Sequence, residues 1–557
     1  MTAPSEAPAT WRDPLSVILL SLLVFLVAHR LGLVSPYVIN DDVRQQLFWM
    51  ARWLDPSLYP SDLLSDYAAA YVPAGVKAVY FVAAKGLGLG PLLFSKLLTG
   101  GLFVLLALAL FRVGTLLEGR VLGYVCAAMV WCLPYFLKNM SGGLSRSFAA
   151  PLLALFFGAW IGRRDRLMAV VLLAQAFFIP YIAVLCAGCA CLDALFGRVT
   201  GRADAPFPAK PWHGLALLGA AGLVWWFNHT LTASGFGPLV DRATLAADPV
   251  FSAKGRLDLY PLPNPFFDLI YWPFERIGLF LDIGLVAGIL SLVALLPLVV
   301  CGARRAPWTA LAGRAGRPAA MLLAGSLTLY VLARAVALRL FVPDRYIAYT
   351  LELVYAVLLA VVVRFALARL LAGSRGRAAL LVAAVCLGLW RLSGLGLYDY
   401  RADAPVYAAV RALPKDALLA GNPKDLDNVL TFGRRDVLAT FELAHPWSRG
   451  YWADYLPRLA HQAAAYYAKD PATVLEFARA YGVTHMLVRE ADLTPAAVAA
   501  GPLFAPFDAR IAALAATPGK FALLDARKFP YTNPEPGVRL IDLRPLLQAK
   551  TADGRPG

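Results

Sequence analysis

Apolar runs of about 20 residues, the length that crosses roughly 30 Å of hydrocarbon, recur along the chain from Leu15 to Leu397. They predict membrane-spanning helices near Leu15 to Val34, Pro91 to Phe111, Val121 to Leu137 and Ser145 to Ile161. The next run, Leu167 to Phe196, carries Pro180 at its middle in "FFIPYIAV" and reads as two short spans broken at the proline. Further spans fall at Trp212 to Leu231, Ile277 to Val300, Ala319 to Phe341, Arg345 to Val363 and Ala379 to Leu397, about eleven in total. After Tyr398 the rhythm changes. Helix-like stretches ("APVYAAVRAL", "PATVLEFARAYG") alternate with short apolar runs ("DALLAG", "THMLV", "FALLD"), the pattern of a small α/β domain.

The expected architecture is an all-α polytopic membrane bundle of about 11 transmembrane helices, carrying a C-terminal extracytoplasmic α/β domain. Residues 1–13 are expected to be a disordered cytoplasmic N-terminus, residues 14–397 the transmembrane domain, and residues 398–557 the soluble domain. The first apolar run is too long for a signal-peptide core and reads as a retained span. The basic loops "FRVGTLLEGR", "GRRDR", "GRVTGRADAPFPAK", "GARRAPWTALAGRAGR" and "RFALARLLAGSRGR" then share the cytoplasmic side, as the Lys/Arg bias requires. That orientation places loops 35–90 and 232–276, and the C-terminal domain, on the outer face.

Composition sharpens this picture. Of 557 residues, 59% are hydrophobic and 16% charged, which no ordinary soluble domain shares. The net charge of +16 comes largely from basic loops between apolar runs, so topology accounts for it and a nucleic-acid partner is not implied. All seven cysteines lie in apolar runs, where thiols pack as small hydrophobes, and no structural disulfide is expected. Cys186, Cys189 and Cys191 crowd together without a second ligand cluster, so they read as helix packing.

The first outer loop opens with "VINDDVRQQLFW", setting Asp41 and Asp42 side by side at the lip of the first span. Locally, Asn40 followed by two acids suits a helix N-terminus, one reading of the motif. The same loop carries Asp62 and Asp66, four residues apart, several tyrosines and an amphipathic tail fit to lie along a membrane surface. Cations recur at the same outer level: Lys138 and Arg146 in "FLKNMSGGLSRSFAAP", then Arg334, Arg339 and Arg345 in "LARAVALRLFVPDRYIAYTLELVY". Charges this near hydrocarbon are costly and usually face a cavity. Snorkelling to headgroups competes for Arg339 and Arg345, whereas Arg334, deeper in its run, calls for a buried partner such as Glu352 or a substrate. Forked guanidinium donors match phosphate oxygens, and acids accept protons. Together they fit displacement of phosphate from a lipid-borne group.

The arrangement resembles the GT-C superfamily of integral-membrane glycosyltransferases. The features that carry the likeness are "NDD" opening the long first loop, the "YVPAGVKAVYF" tail running into "LGPLLFSKLL", the "LSRSFAAPLLAL" span, the late "VPDRY", and "YGVTHMLV" in the soluble domain. The resemblance spans most of the chain. It implies a bacterial-type enzyme of the plasma (inner) membrane that takes its sugar from a polyprenyl phosphate or pyrophosphate and passes it, with inversion, to a glycan, lipid or protein acceptor. It makes Asp41 the acid/base, with Asp42 in the second acidic position. Arg345, Arg339, Arg146 and Lys138 would hold the lipid phosphate, and Asp62, Asp66, Arg334 and Glu352 would line the substrate cavity. Some relatives use a divalent cation such as Mg or Mn. Asp41, Asp42 and Asp62 offer oxygens for one, but no spacing decides the matter. The "WWDYG" signature of oligosaccharyltransferases is missing, which disfavours protein N-glycosylation.

Two other classes meet part of the pattern. A lipid-linked glycan transporter or flippase also needs charges in a membrane cavity, but predicts paired half-repeats with matching broken helices, and the sequence shows one clear break, at Pro180. A non-catalytic envelope assembly protein leaves the acids and arginines uncoupled in space. In the second outer loop Asp241, Asp248, Arg256 and Asp258 are candidates to cover a cavity or to serve structure alone. In the soluble domain Arg434, Arg435, Trp447, Tyr451 and Trp452 suit either an acceptor glycan or a solvated surface, and His485 reads as a packed strand residue.

Overall fold

The computed structural model describes residues 10–60, 62–201, 210–271, 285–336, 340 and 342–549. The expected disorder of the N-terminus falls mostly on residues 1–9, outside the described residues, and the first helix, Arg12–Ala28, begins shortly after them.

Helices dominate up to Arg391, and a mixed sheet follows. The span count differs from the expected eleven. Among the described residues four helices are long and apolar enough to cross a membrane: Pro91–Leu117, Pro180–Val199, Trp308–Val336 and Arg345–Ala366. Two bent pairs raise the number to six, Leu63–Tyr71 with Ala74–Leu87 (111°) and Arg120–Cys132 with Pro134–Met140 (63°). The physical reason is that several apolar runs are cut into shorter helices. Arg12–Ala28 has 17 residues, Ala149–Ile161 has 13 and Asp165–Phe178 has 14, against the roughly 20 that a span requires. Pro134 and Pro180 each stand at the first position of a new helix, where the missing N–H costs nothing, and at Pro134 the chain bends by 63°. The break at Pro180 is where the sequence places it, although the helix beyond it, with 20 residues, is a full span.

Small residues let the bundle pack closely. Gly114 and Gly123 face one another across Pro91–Leu117 and Arg120–Cys132, and a Cβ on either would stand 2.6 Å from Leu122 O or 2.5 Å from Thr115 Oγ1.

The seam between bundle and C-terminal domain is a two-stranded antiparallel ribbon. Strand β1 (Val38–Ile39) pairs with β2 (Tyr398–Asp399) in the register Val38↔Asp399 and Ile39↔Tyr398. Beyond it, β3 (Leu418–Gly421), β4 (Asp436–Val437), β5 (His485–Arg489), β6 (Tyr531–Glu535) and β7 (Val538–Asp542) form one sheet in the order β4-β3-β5-β7-β6. The β3 pairings with β4 and β5 are parallel, and the β5–β7 and β6–β7 pairings antiparallel. Apolar runs "DALLAG" and "THMLV" thus supply adjacent central strands, while "FALLD" folds as a 3-10 turn at Ala522–Leu524. The helix in "PATVLEFARAYG" runs over Pro471–Tyr481, opened by Asp470 accepting from Ala472 N–H and closed by Gly482 at φ +69°.

Candidate functional site

The ribbon delivers the acid doublet. Leaving β1, the chain turns at Asn40 and places Asp41 and Asp42 before a short helix, Val43–Gln46, so each acid meets the residue three positions on. Asp41 Oδ1 is bound by Arg44 Nη2, and Gln45 Nε2 donates to Asp42 Oδ1 at 2.8 Å. From the other strand of the ribbon, the Tyr400 hydroxyl donates to the same Asp41 Oδ1 at 2.7 Å.

Asp42 faces the bundle. Its Oδ2 is ion-paired with Arg146 Nη1, and Arg146 Nη2 donates to Asn40 Oδ1 at 3.1 Å. The loop that carries Arg146 can lie this close because Gly142 (φ +97°) and Gly143 (φ +59°) take left-handed conformations. A Cβ on Gly142 would stand 3.0 Å from Asn40 Oδ1. The Gly396 carbonyl ties the same corner together by accepting from Asn40 Nδ2 at 3.0 Å and from Ser141 Oγ at 2.7 Å. The two acids therefore differ. Both Asp42 oxygens are engaged, whereas Asp41 takes its partners on Oδ1, and its side chain is 34% exposed.

The C-terminal domain closes the back of the site. Arg44, its side chain 8% exposed, donates to Asn428 Oδ1 at 2.8 Å, lies 3.9 Å from Glu442 Oε1 and stacks over the Tyr400 ring at 4.4 Å. Arg256, from the loop that follows the helix Pro211–Ala233, pairs with Glu442 Oε2 at 3.2 Å. Burial pushes the Glu442 carboxyl pKa up, and likewise that of Asp427, raised to about 7 against the opposing pull of Arg44. Behind Asp42 a hydrogen-bonded chain continues: Gln45 Oε1 lies 2.9 Å from His445 Nε2, and His445 Nδ1 lies 3.1 Å from the Tyr67 hydroxyl. The Nε2–H tautomer satisfies both contacts, and burial holds the His445 pKa well below its usual value, so the ring is neutral.

Among the described residues no hydrogen bond or ion pair joins the other predicted residues to the doublet. Arg345, at the start of its helix, is half-buried within electrostatic reach of Tyr349, Asp344, Tyr181 and Tyr135, and its guanidinium makes no hydrogen bond or ion pair among the described residues. Tyr135 shares the short helix Pro134–Met140 with Lys138, which is exposed and also unpaired among the described residues. Asp62 is the N-cap of Leu63–Tyr71, accepting from Leu64 N–H at 2.8 Å and bound by the Ser65 hydroxyl, and its carboxyl pKa is raised by burial. Asp66 is exposed on that helix. Arg334 finds its partner in Asp268, 3.4 Å away, with Tyr330 donating to the same carboxylate at 2.8 Å; the partner suggested by the sequence, Glu352, is buried in the span Arg345–Ala366. Arg339 lies outside the described residues.

Sequence reasoning missed Arg44, Gln45, Tyr400, Asp427, Glu442 and His445. For Arg44 and Gln45 a signal existed in the three-residue spacing to the acids within "DDVRQQ". The others arrive through contacts between residues hundreds of positions apart, for which local pattern holds no signal.

The donor set does not fit a divalent cation as arranged. Asp41 and Asp42 each already hold a guanidinium, and among the described residues no group of three or more His, Cys, Asp or Glu is disposed to bind a metal.

Fold and site define an integral-membrane helical protein with an acidic doublet and a set of guanidinium groups at its junction with a mixed-sheet domain. No protein-family model and no curated protein matches the chain. Among solved structures it is similar to the Archaeoglobus fulgidus oligosaccharyltransferase. Against the apo form, identity is 14% and TM-score 0.49, with 91% of this chain and 72% of that one covered. Against the complex with Zn and sulfate the values are 12% and 0.48, covering 89% and 70%. Against the archaeal oligosaccharyltransferase AglB, from the same organism and in complex with an inhibitory peptide and a dolichol-phosphate, they are 12% and 0.40, covering 88% and 71%.

Proposed function

We propose that this protein is a GT-C type glycosyltransferase. It moves a sugar from a polyprenyl phosphate or pyrophosphate to an acceptor hydroxyl on the outer face of the membrane, inverting the anomeric centre, with Asp41 as general base. The observation that carries the reading is the asymmetry of the doublet: Asp41 keeps Oδ2 without a partner among the described residues and is accessible, while Asp42 has both oxygens occupied.

In this reading Asp41 Oδ2 takes the proton of the acceptor hydroxyl as its oxygen bonds to the anomeric carbon. The bond from that carbon to the donor's phosphate oxygen breaks, and the electron pair leaves with the phosphate. Arg44 and Tyr400, both on Oδ1, fix the orientation of the carboxylate. Arg345 and Lys138, unpaired among the described residues, suit the developing phosphate charge, and Arg146, anchored on Asp42 and Asn40, offers its remaining N–H donors to the same anion. A bilayer, a lipid-linked donor and a glycan, lipid or protein acceptor are the partners this chemistry needs.

The test is release of label from radiolabelled prenyl-phosphate sugars by the protein in lipid nanodiscs, compared with Asp41→Asn. Release that depends on Asp41 supports the proposal. Undiminished release in the variant removes the base.

A further inference from the structure

The C-terminal domain holds a cleft remote in sequence from the acid doublet. It opens between the helices Pro495–Ala499 and Phe507–Ala516 and the turn that follows them, with a volume of about 1170 Å³. That is ample for a ligand of drug size or larger. Its floor is apolar, including Leu493, Val498 and Leu524.

Its edge is cationic. Lys469, Lys520, Arg527 and Lys528 line the cleft against a single acid, Asp525, whose Oδ1 already accepts from the Arg527 N–H at 3.0 Å. Lys469 Nζ lies 3.3 Å over the Phe521 ring, and partial burial pushes its pKa down. None of these four side chains has an ion pair or hydrogen bond among the described residues. Elsewhere in the domain Arg489 meets Asp403, Asp425 and Glu535, Arg539 meets Glu490, and Arg544 meets Asp542. Those cations are paired, whereas the four at the cleft, like Arg458 and Arg479 elsewhere in the domain, have no ion pair among the described residues. Free cations around an apolar floor attract a ligand that brings its own negative charge on an apolar body.

We propose that this cleft binds an anionic amphiphile, a phosphate monoester on an apolar chain. The apolar chain rests on Leu493, Val498 and Leu524, and the phosphate is held by Lys520, Arg527 and Lys528. The proposal is independent of sugar transfer and stands or falls without it.

The probe is hexyl phosphate, titrated by calorimetry into the full chain in phosphatidylcholine nanodiscs, with empty nanodiscs subtracted. Hexanol and inorganic phosphate are the controls. Hexyl phosphate is expected to bind at least ~10-fold more tightly than either, because the site uses both parts of the ligand. Lys520→Glu, Arg527→Glu and Lys528→Glu combined are expected to weaken it at least ~10-fold with thermal unfolding unchanged, and the milder Arg527→Gln with Lys528→Gln to weaken it less. Equal binding of hexanol, or unchanged binding in both variants, overturns the proposal. Displacement by an acidic oligogalacturonide at lower concentration than hexyl phosphate also overturns it, by assigning the cleft to an acidic glycan.

Discussion

Tyr400 donates its hydroxyl proton to Asp41 Oδ1 at 2.7 Å, joining residues 359 positions apart in the chain. The contact exists because β1 and β2 pair antiparallel, so the stretch after β1 and the start of the C-terminal domain leave the ribbon together. One donor from each part of the protein therefore holds a single carboxylate oxygen, and the other oxygen has no partner among the described residues.

Asp41→Asn is expected to lower transfer by about 10²–10⁴-fold, the usual worth of a positioned base, with folding intact. Asp42→Asn is expected to cost less in turnover and more in stability, since it removes half of an ion pair with Arg146. Single-turnover rates set beside melting curves check the contrast; equal rate losses in the two variants would contradict it.

Tyr400→Phe keeps the ring under Arg44 and removes one donor to Asp41. Loss of a hydrogen bond to a charged group is worth about 1.5–3 kcal/mol. Single-turnover transfer is expected to fall by about tenfold or more with donor KM held, because the carboxylate loses one of the two donors that orient it. An unchanged rate would show that Tyr400 does not act on the base.

Arg345→Ala is expected to raise the KM for the lipid-linked donor by about tenfold or more and to weaken binding of a prenyl phosphate alone, while Arg345→Lys recovers part of both. Flotation of labelled prenyl phosphate with the reconstituted protein measures the second effect directly. A variant that binds it as well as the parent protein would take Arg345 out of the phosphate site.

His445→Ala breaks the chain Asp42–Gln45–His445–Tyr67 and strands two buried polar partners. A buried group left unpaired costs about 1–3 kcal/mol, so a lower melting temperature is expected. If the chain also orients Asp42, turnover falls at temperatures well below melting while donor KM is held, and His445→Gln restores part of it. A change in stability alone would confine His445 to packing.

Asp427 titrates near 7 in the folded protein because burial disfavours its charge. Its folded pKa thus lies above the unfolded one, near 4. Between those values the native state binds more protons, so stability falls as pH rises from about 4 to about 7 and is level above. Asp427→Asn is expected to flatten this slope and to raise stability at neutral pH, by at most about 4 kcal/mol. Chemical denaturation at pH 5 and pH 8 compares the two; parallel slopes would refute the assignment.

Much of the architecture follows from short-range pattern. Apolar length marks Pro91–Leu117 and Arg345–Ala366 as spans, Pro180 marks a break, and alternating runs mark β3 and β5, because helix and strand formation depend on neighbours within a few residues. The same reasoning overcounted the spans, since hydropathy reads an apolar run as one rod while the chain cuts several into helices too short to cross, Arg12–Ala28, Ala149–Ile161 and Asp165–Phe178 among them.

What the sequence determined alone is that this chain belongs in a membrane, ends in an α/β unit, and sets two acids beside its first span. Only the tertiary structure decided that Asp41 and Asp42 are unequal, one with an oxygen left unpartnered and the other locked between Arg146 and Gln45. A side chain's type and spacing are written in the chain. Its partners are chosen by which distant strands and loops pack together, and for Asp41 that choice rests on a ribbon of two residues from each end of the bundle.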